Sequence, residues 1–262
     1  MELTNENYFL DKEYLNNSTL KVYSECSAKA LAMSKGEFIQ DLSDEEAIQV
    51  GSYVDSAIEG TLEEFIEKNT QIYVRGKKEN GLKKVFEEAN AMIEKINKDK
   101  FAKILLTGEK QKIFTGEIEG VKVKCKIDNI NFNKKFFTDL KTCRDIFETM
   151  YDVEKKERVS FIESRGYLIQ LAFYREIIRQ NTGEKFIACL VAYDKTESQR
   201  GLTIQFTEEE IDNAYLEVLE LIRKHKAALE GNTHRCEKCD YCNSTRETSL
   251  NFKSFSDFLM FI

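Results

Sequence analysis

The stretches VKVKCKID (residues 121–128) and FFTDLKT (residues 136–142) decide the fold of this 262-residue chain. In the first stretch apolar residues alternate with charged ones, which is typical of a half-buried β-strand. It follows the run KIFTGEI (residues 112–118) and the turn-forming pair Glu119-Gly120, so the sequence predicts a hairpin. The second stretch predicts a third strand, and we expect the three strands to pair antiparallel.

Helices are predicted before and after these strands. Apolar residues at three- and four-residue spacing predict a helix within residues 47–65, and a second helix is predicted over residues 82–98. Beyond the strands, the predicted elements are a helix over 159–179, strands over 185–192 and 202–206, and a helix from the capping box of Thr207 and Glu210 to residue 230. This order predicts an α/β fold with a mixed β-sheet flanked by helices.

The composition narrows the class of protein. With 42% hydrophobic and 32% charged residues, the chain is expected to be globular rather than disordered. The N-terminus lacks the features of a signal peptide, and no apolar stretch is long enough to span a membrane. We therefore expect a cytoplasmic protein with reduced cysteines and no membrane partner. Because the chain has only two histidines, the sequence does not favour a histidine-rich metal site or a Ser-His-Asp triad.

Charge is distributed unevenly along the chain, although the net charge is −7. Residues 41–64 include eight acidic residues and no basic one, whereas residues 73–84 include five basic residues against one acidic. Basic segments beside an acidic, metal-attracting one suit a nuclease, because phosphate contacts need Lys and Arg. The alternative is that these charges lie on ordinary solvated faces of helices and loops.

Asp128, Asp139 and Lys141 form the strongest chemical pattern. Asp139 and Lys141 are two residues apart on one predicted strand and therefore project from the same face, while Asp128 ends the neighbouring strand. Two carboxylates at close range repel each other unless a cation joins them, and oxygen ligands suit Mg²⁺ or Mn²⁺. Lys141 is then placed to orient or deprotonate an attacking water, as phosphodiester hydrolysis requires. The alternative is a chance pattern of charged residues on solvated strands.

Four motifs occur in order along the chain: GSYVDSAIEG (residues 51–60), KCKID (124–128), TDLKT (138–142), and Gln170 with Tyr174 in a Q-x3-Y arrangement. With these motifs the chain resembles the PD-(D/E)XK nuclease superfamily, and more closely the RecE-type phage and prophage exonucleases related to exonuclease VIII. The resemblance covers residues 14–242, although Ile127 replaces the proline that names the superfamily. It implies a restriction-endonuclease-like core.

The resemblance implies a role for each matching residue. Asp128, Asp139 and Lys141 would be catalytic, with both aspartates as metal ligands. Asp55 lies where the family often carries a histidine ligand, and Glu59, one helical turn further on, is an alternative ligand. Gln170 and Tyr174 would lie near the active site and the DNA, and the alternative is a packing pair on one helix face.

The implied activity is metal-dependent DNA hydrolysis by an exonuclease that resects linear double-stranded ends for phage-type recombination. A homo-oligomeric ring and a single-strand annealing protein as partner are implied as well. Two alternatives remain open. One is a RecB-like nuclease of the CRISPR-adaptation or helicase-associated type, and the other is a non-catalytic DNA-binding scaffold that retains the fold.

Cys236, Cys239 and Cys242 form a compact CxxCxxC cluster in a polar segment. Three thiolates do not complete a tetrahedral metal site or an iron–sulfur cube, so a fourth ligand is needed. RecB-like nucleases with an iron–sulfur cluster take one cysteine from before the nuclease core and three from after it. This likeness implies that Cys26 completes a structural [4Fe–4S] site, and the alternative is a Zn²⁺ site in which His234 joins the three cysteines.

The chain is thus expected to form one exonuclease domain over residues 1–262. Its parts would be an N-terminal helical part of about residues 1–100, a catalytic core of about residues 101–231 and a cysteine segment of residues 232–262. The cysteine site would tie the two ends of the chain around the core.

Overall fold

The computed structural model describes residues 3–39, 45–152 and 156–246, together with Ser254 and Ser256. Its helices are α1 (Asn17–Val22), α2 (Ser27–Lys35), α3 (Glu46–Glu59), α4 (Leu62–Lys68), α5 (Lys84–Lys98), α6 (Lys100–Leu105), α7 (Phe161–Ser164), α8 (Tyr167–Thr182), α9 (Glu208–Leu229) and α10 (Asp240–Ser244). Its strands are β1 (Leu15–Asn16), β2 (Glu109–Ile118), β3 (Val121–Asn131), β4 (Phe136–Cys143), β5 (Thr149–Asp152), β6 (Glu157–Ser160), β7 (Ile187–Asp194) and β8 (Gly201–Gln205). Short 3-10 turns at Thr70–Ile72, Val74–Gly76 and Lys78–Asn80 connect α4 to α5.

Six of the described strands form one mixed sheet. β2, β3 and β4 pair antiparallel, β4 pairs parallel with β7, and β8 lies antiparallel beside β7. β1 adds a short parallel pairing to β3, while β5 and β6 form a separate hairpin. The predicted mixed α/β fold is confirmed, as is the antiparallel pairing of the three strands from which the prediction started.

Helices cover both faces of the sheet, and β7 shows why. Leu190 and Ala192 pack in the core that includes α8 and α9, whereas Val191 and Tyr193 pack on the other face with α3 and α5. A strand that is buried on both faces carries apolar residues at consecutive positions. This explains why the stretch that forms β7 reads as a continuous apolar run, while β3 alternates.

The predicted hairpin between β2 and β3 is confirmed together with its turn. Ile118 pairs with Val121, so Glu119 and Gly120 form a two-residue loop. Their φ angles are 48° and 82°, the left-handed values that a tight turn between twisted strands requires. Glycine adopts this conformation without steric cost, which is why the pair predicted the turn.

The prediction of a single helix over residues 159–179 is wrong at its start. Val159 lies in β6, and Ser160 caps the short helix α7 through a capping box with Glu163. Gly166 then separates α7 from α8. Because the two helices follow each other closely and both bury apolar residues, their patterns merge into one apparent periodicity in the sequence. None of the helices in the described ranges is long and apolar enough to cross a membrane.

Candidate active site

Asp128 lies where the pairing between β3 and β4 stops. Residues 129–131 of β3 pair with residues 136–138 of β4. On the same edge of β3, opposite to β2, the short strand β1 pairs only with residues 123 and 124. Asp128 lies between the part of β3 that pairs with β1 and the part that pairs with β4. Its Oδ2 accepts a hydrogen bond of 3.0 Å from the backbone N–H of Leu140. A side-chain carboxylate thus replaces the backbone acceptor of the ladder, and the diverging strands hold Asp128 beside the part of β4 that carries Asp139.

Asp139 is buried, with only 2% of the residue exposed, and two neighbouring side chains contact its carboxylate. Its Oδ1 accepts a hydrogen bond of 2.7 Å from Gln170 Nε2, and its Oδ2 lies 2.7 Å from Lys141 Nζ. Gln170 Nε2 also donates to the Tyr174 hydroxyl at 3.1 Å. Apart from the ion pair with Lys141, Oδ2 has no hydrogen-bond donor among the described residues. The structure therefore brings Asp139, Lys141, Gln170 and Tyr174 together. The spacing of Asp139 and Lys141 predicted that these two share a face, and the resemblance implied that Gln170 and Tyr174 lie nearby.

The candidate ligands Asp55 and Glu59 lie one turn apart on α3, a helix that packs against β4. Both side chains line a cavity of about 460 Å³ to which Asp128 also contributes. Glu59 is already engaged there, because its Oε1 accepts a hydrogen bond from Gln111 Nε2. The geometry thus favours Asp55 over Glu59 as the further ligand beside the two strand aspartates.

Burial and repulsion by neighbouring carboxylates raise the pKa values of Asp55 and Asp128. Burial raises the pKa of Asp128 to about 7, with a further contribution from the charge on Asp139. Burial, and then Asp128, raise the pKa of Asp55 well above its usual range. Burial on its own would lower the pKa of Lys141, but Asp139 and Asp128 outweigh it and raise that pKa. Carboxylates that repel one another in this way are stabilised when a cation binds among them.

Lys21 and Tyr167 also belong to this site, although the sequence did not reveal them. Lys21 Nζ, on α1, donates a hydrogen bond of 3.0 Å to the backbone oxygen of Arg165 and lies 3.5 Å from Gln170 Oε1. The Tyr167 ring centroid is 5.4 Å from Lys21 Nζ and 5.3 Å from Lys141 Nζ. Burial, and then repulsion by Lys141, lower the pKa of Lys21 to about 8. Tyr167 precedes Gln170 by one helical turn, which is a usable signal, whereas Lys21 is remote in sequence.

Cys26, Cys236, Cys239 and Cys242 meet at a second site, formed by the start of α2 and the surroundings of α10. All four Sγ atoms lie within 4.8 Å of one another. The Sγ atom of Cys242 is 3.6 Å from that of Cys26 and 4.0 Å from that of Cys236. Within the described ranges, no group of three or more carboxylates has its oxygen atoms within this distance of one another. The four cysteines named from the sequence are therefore assembled by the fold.

His234 is not a member of this thiol group. Its backbone, rather than its ring, ties the segment to the start of α2. The carbonyl oxygen of His234 accepts hydrogen bonds from Ala28 N at 3.1 Å and Ser27 Oγ at 3.4 Å, and its N–H donates to Ser27 Oγ at 2.6 Å. The alternative in which His234 completes a zinc site is not supported, because Cys26 takes the fourth position of the group.

Backbone N–H groups from Lys238 and Cys239 lower the pKa of the Cys236 thiol to about 6. Burial, by contrast, raises the pKa of Cys242 to about 12. Metals bind thiolates and bind thiols only after deprotonation, so a metal at this site would displace protons from the group. One thiolate of the set is favoured by the backbone before any metal arrives.

A family model described as PDDEXK-like domain of unknown function (DUF3799) matches residues 16–245. The chain belongs to this family. This PDDEXK-like chain is also similar to the crystal structure of a candidate exonuclease from Eubacterium rectale, with 30% identity, a TM-score of 0.87 and 100% of both chains covered. Another solved structure, SSO0001, aligns over 92% of this chain and 89% of the SSO0001 chain, with 16% identity and a TM-score of 0.40. No curated protein sequence matches the chain.

The family membership confirms the resemblance to the PD-(D/E)XK superfamily that the motifs indicated. Together with the structural match, it supports a nuclease that acts on DNA. The RecE-type details remain predictions.

The residues of the first site fit a hard divalent cation. The available donors are carboxylate oxygens from two strands and a helix, and the buried Asp139 Oδ2 has no hydrogen-bond donor beyond its ion pair in the described part of the chain. Oxygen-only donor sets of this kind suit Mg²⁺ or Mn²⁺ better than softer metals. Asp128 and Asp139 would hold such an ion, with Asp55 as a third ligand.

Proposed function

We propose that this protein is a Mg²⁺- or Mn²⁺-dependent DNA exonuclease that hydrolyses phosphodiester bonds in linear duplex DNA. The observation that carries the proposal is the convergence of Asp128, Asp139 and Lys141 at the point where β3 and β4 diverge. A scaffold that only bound DNA would have no need of a buried carboxylate at Asp139, which requires Gln170 and Lys141 to compensate its desolvation.

The chain's own residues divide the work of hydrolysis. Asp128, Asp139 and Asp55 would hold the divalent ion, which would supply Lewis-acid activation of water and positive charge toward the phosphate. Lys141 lies 2.7 Å from Asp139 Oδ2, so the carboxylate stabilises its ammonium form. We therefore assign Lys141 to orienting the water and neutralising a phosphate oxygen rather than to removing a proton. Gln170 fixes Asp139 through Oδ1.

Exonuclease activity rather than internal cleavage is proposed from two likenesses. The Eubacterium rectale protein is named as a candidate exonuclease and matches the whole chain. The motifs resemble RecE-type enzymes, for which resection of double-stranded ends, a homo-oligomeric ring and an annealing protein as partner are implied. A cytoplasmic location fits this role in recombination.

The test is to incubate linear and covalently closed circular duplexes of the same sequence with the protein in Mg²⁺, Mn²⁺ or EDTA. We expect the linear form to be degraded in either metal, the circular form to persist, and EDTA to stop the reaction. Lys98→Ala, a change at a side chain that is 78% exposed and lies outside the basic segment of residues 73–84, serves as a control that keeps activity.

Degradation of the circle at the same rate would replace the exonuclease with an endonuclease. Preference for single-stranded ends over duplex ends would favour the RecB-like nucleases of the CRISPR-adaptation or helicase-associated type. An absence of hydrolysis by folded protein in either metal would leave the DNA-binding scaffold as the better account.

For the four cysteines we propose a single tetrahedral Zn²⁺ ion in place of the iron–sulfur cluster that the sequence likeness favours. A Zn–S bond of about 2.3 Å gives a tetrahedron with edges of about 3.8 Å between sulfurs. The observed Sγ separations of 3.6 and 4.0 Å match this value. A [4Fe–4S] cube places iron and sulfide between the thiolates and needs them further apart.

A further inference from the structure

We infer that Phe9 is a stacking platform for one nucleobase of the DNA strand that is cut, at the mouth of the catalytic cavity. The inference rests on the proposed nuclease function and adds a binding residue to it. Phe9 lies in the N-terminal segment of residues 3–14, which neither the motifs nor the catalytic pattern includes.

Phe9 is an exposed aromatic side chain in the wall of the site. Its residue is 65% exposed, yet its side chain lines the same cavity of about 460 Å³ as Asp55 and Asp128. Pockets of about 300–1,000 Å³ hold small ligands, so a nucleotide fits this space. An apolar ring left open to water beside catalytic carboxylates is explained if the substrate covers it.

The segment that carries the ring is anchored on both sides of Phe9. Tyr8 is 5% exposed and packs edge-on against Phe9, with ring centroids 5.1 Å apart. Lys124, whose side chain is fully buried, donates hydrogen bonds to Tyr8 O at 2.6 Å and to Asp11 O and Asp11 Oδ1 at 2.8 and 3.0 Å. A buried lysine satisfied by this segment anchors it to β3, the strand that carries Asp128.

The charge around Phe9 identifies the ligand as part of a nucleic acid. Lys126 Nζ lies 5.0 Å from the centre of the Phe9 ring, and Lys68 lines the same cavity. Because the Lys126 ammonium lies over one face of the ring, a base would stack on the other face, while the lysines neutralise the phosphate backbone. The chain places this pair next to the carboxylates, so the base that stacks belongs to a nucleotide adjoining the scissile phosphate.

The test compares wild type, Phe9→Ala, Phe9→Trp and Leu10→Ala on short linear duplexes. Leu10 is the matched control, since it is the next residue and is 76% exposed but does not line the cavity. Base stacking on an aromatic residue is worth about 1–3 kcal/mol, so Phe9→Ala should raise KM about 5- to 100-fold with kcat little changed. Phe9→Trp and Leu10→Ala should retain the wild-type KM.

A second substrate carries an abasic nucleotide at each of the last three positions in turn. At the stacking position the abasic substrate should raise KM for wild type as much as Phe9→Ala does, and should have no further effect on Phe9→Ala. A Phe9→Ala protein with the wild-type KM on intact DNA would overturn the inference, as would an equal abasic penalty in both proteins.

A binding measurement separates this inference from the proposed function. With 2-aminopurine in place of the terminal base and EDTA present, stacking on Phe9 should quench the fluorescence in wild type and in Leu10→Ala, and quench it far less in Phe9→Ala. If no variant hydrolyses DNA but this difference is seen, the nuclease proposal fails and the stacking site stands. If hydrolysis is normal and the quenching is equal in all variants, the stacking site fails alone.

Discussion

At the scale of single residues, Asp139 defines the site. A buried carboxylate costs free energy unless hydrogen bonds and an opposite charge compensate it, and Gln170 and Lys141 supply both. The two-residue spacing on one strand identified Asp139 and Lys141 as a pair, whereas Gln170 was named from the resemblance to RecB-like nucleases. The sequence could not identify Lys21, because the contact between Lys21 and Gln170 joins positions 149 residues apart.

Gln170→Leu tests the assigned role of Gln170 as a positioning residue. A hydrogen bond to a charged group is worth about 1.5–3 kcal/mol, so we expect kcat to fall about 10- to 100-fold. A merely structural role would lower the unfolding temperature but leave the metal concentration for half-maximal activity unchanged, whereas a positioning role raises that concentration. Titration of activity with Mn²⁺ and thermal unfolding of the same samples measure the two effects. Gln180→Leu, on the same helix but remote from Asp139, is the control.

At the scale of elements, the divergence of β3 and β4 creates the site. Five strands of the main sheet were predicted in their order along the chain, because alternation, apolar runs and turn residues are local signals: β2, β3, β4, β7 and β8. The point at which β3 and β4 diverge was not predicted, because it depends on contacts between distant residues. One is the Asp128 carboxylate that replaces a backbone acceptor for Leu140, and the other is the pairing of β1 with β3. The β5–β6 hairpin was also missed, because its mostly exposed side chains lack a regular pattern of apolar and polar residues.

Gly108→Ala tests the close approach at the start of β2. A Cβ at this position would lie 2.1 Å from the backbone oxygen of Ile130, and the φ angle of Gly108 is +133°. Because a backbone atom cannot yield as a side chain can, we expect a loss of about 2–3 kcal/mol in the free energy of unfolding. Gly120→Ala is the control, since nothing lies within 4 Å of its Cβ position and only its φ of +82° is unfavourable. It should cost about 1 kcal/mol. Equal losses in urea unfolding would contradict this packing account.

At the scale of the whole molecule, two anchors tie the N-terminal region to the rest. One is the buried Lys124, which binds the segment that carries Phe9 to β3. The other is the four-cysteine site, in which Cys26 meets three cysteines more than two hundred positions later. The spacing of Cys236, Cys239 and Cys242 predicted three members of this site and the likeness added Cys26, but the separations between the sulfurs became known only from the fold.

Cys26→Ser tests the metal assignment for this second site. We expect about one zinc and no iron per wild-type chain, and no absorption band in the visible region. Loss of one ligand should abolish stoichiometric zinc and lower the unfolding temperature, while DNA hydrolysis by the remaining folded protein persists. Cys143→Ser, which changes a half-buried thiol outside the group, should keep the metal. Iron with sulfide in anaerobically purified protein would restore the cluster interpretation, and a metal-free protein of unchanged stability would refute both.

Lys124→Met tests the first anchor. The change removes the buried ammonium group and leaves Tyr8 O, Asp11 O and the Asp11 carboxylate without this donor, which should cost about 1–3 kcal/mol. We therefore expect faster proteolysis within residues 3–14 and a KM for DNA that rises as it does in Phe9→Ala. Lys185→Met, at a half-exposed lysine that pairs with Glu208 and Asp212 rather than with the N-terminal segment, should change neither. Unchanged proteolysis would show that the segment does not depend on this lysine.

The central claim is that Asp128, Asp139 and Lys141 form a metal-dependent nuclease site, and one measurement tests it directly. It is the rate at which linear duplex DNA is hydrolysed by wild type, Asp139→Asn and Lys141→Ala in saturating Mn²⁺. Changes outside the ligand sphere of a metal already cost about 10- to 100-fold, so each substitution within the site should slow hydrolysis more than about 100-fold while the protein stays folded. Hydrolysis at the wild-type rate by folded Asp139→Asn protein would contradict the account.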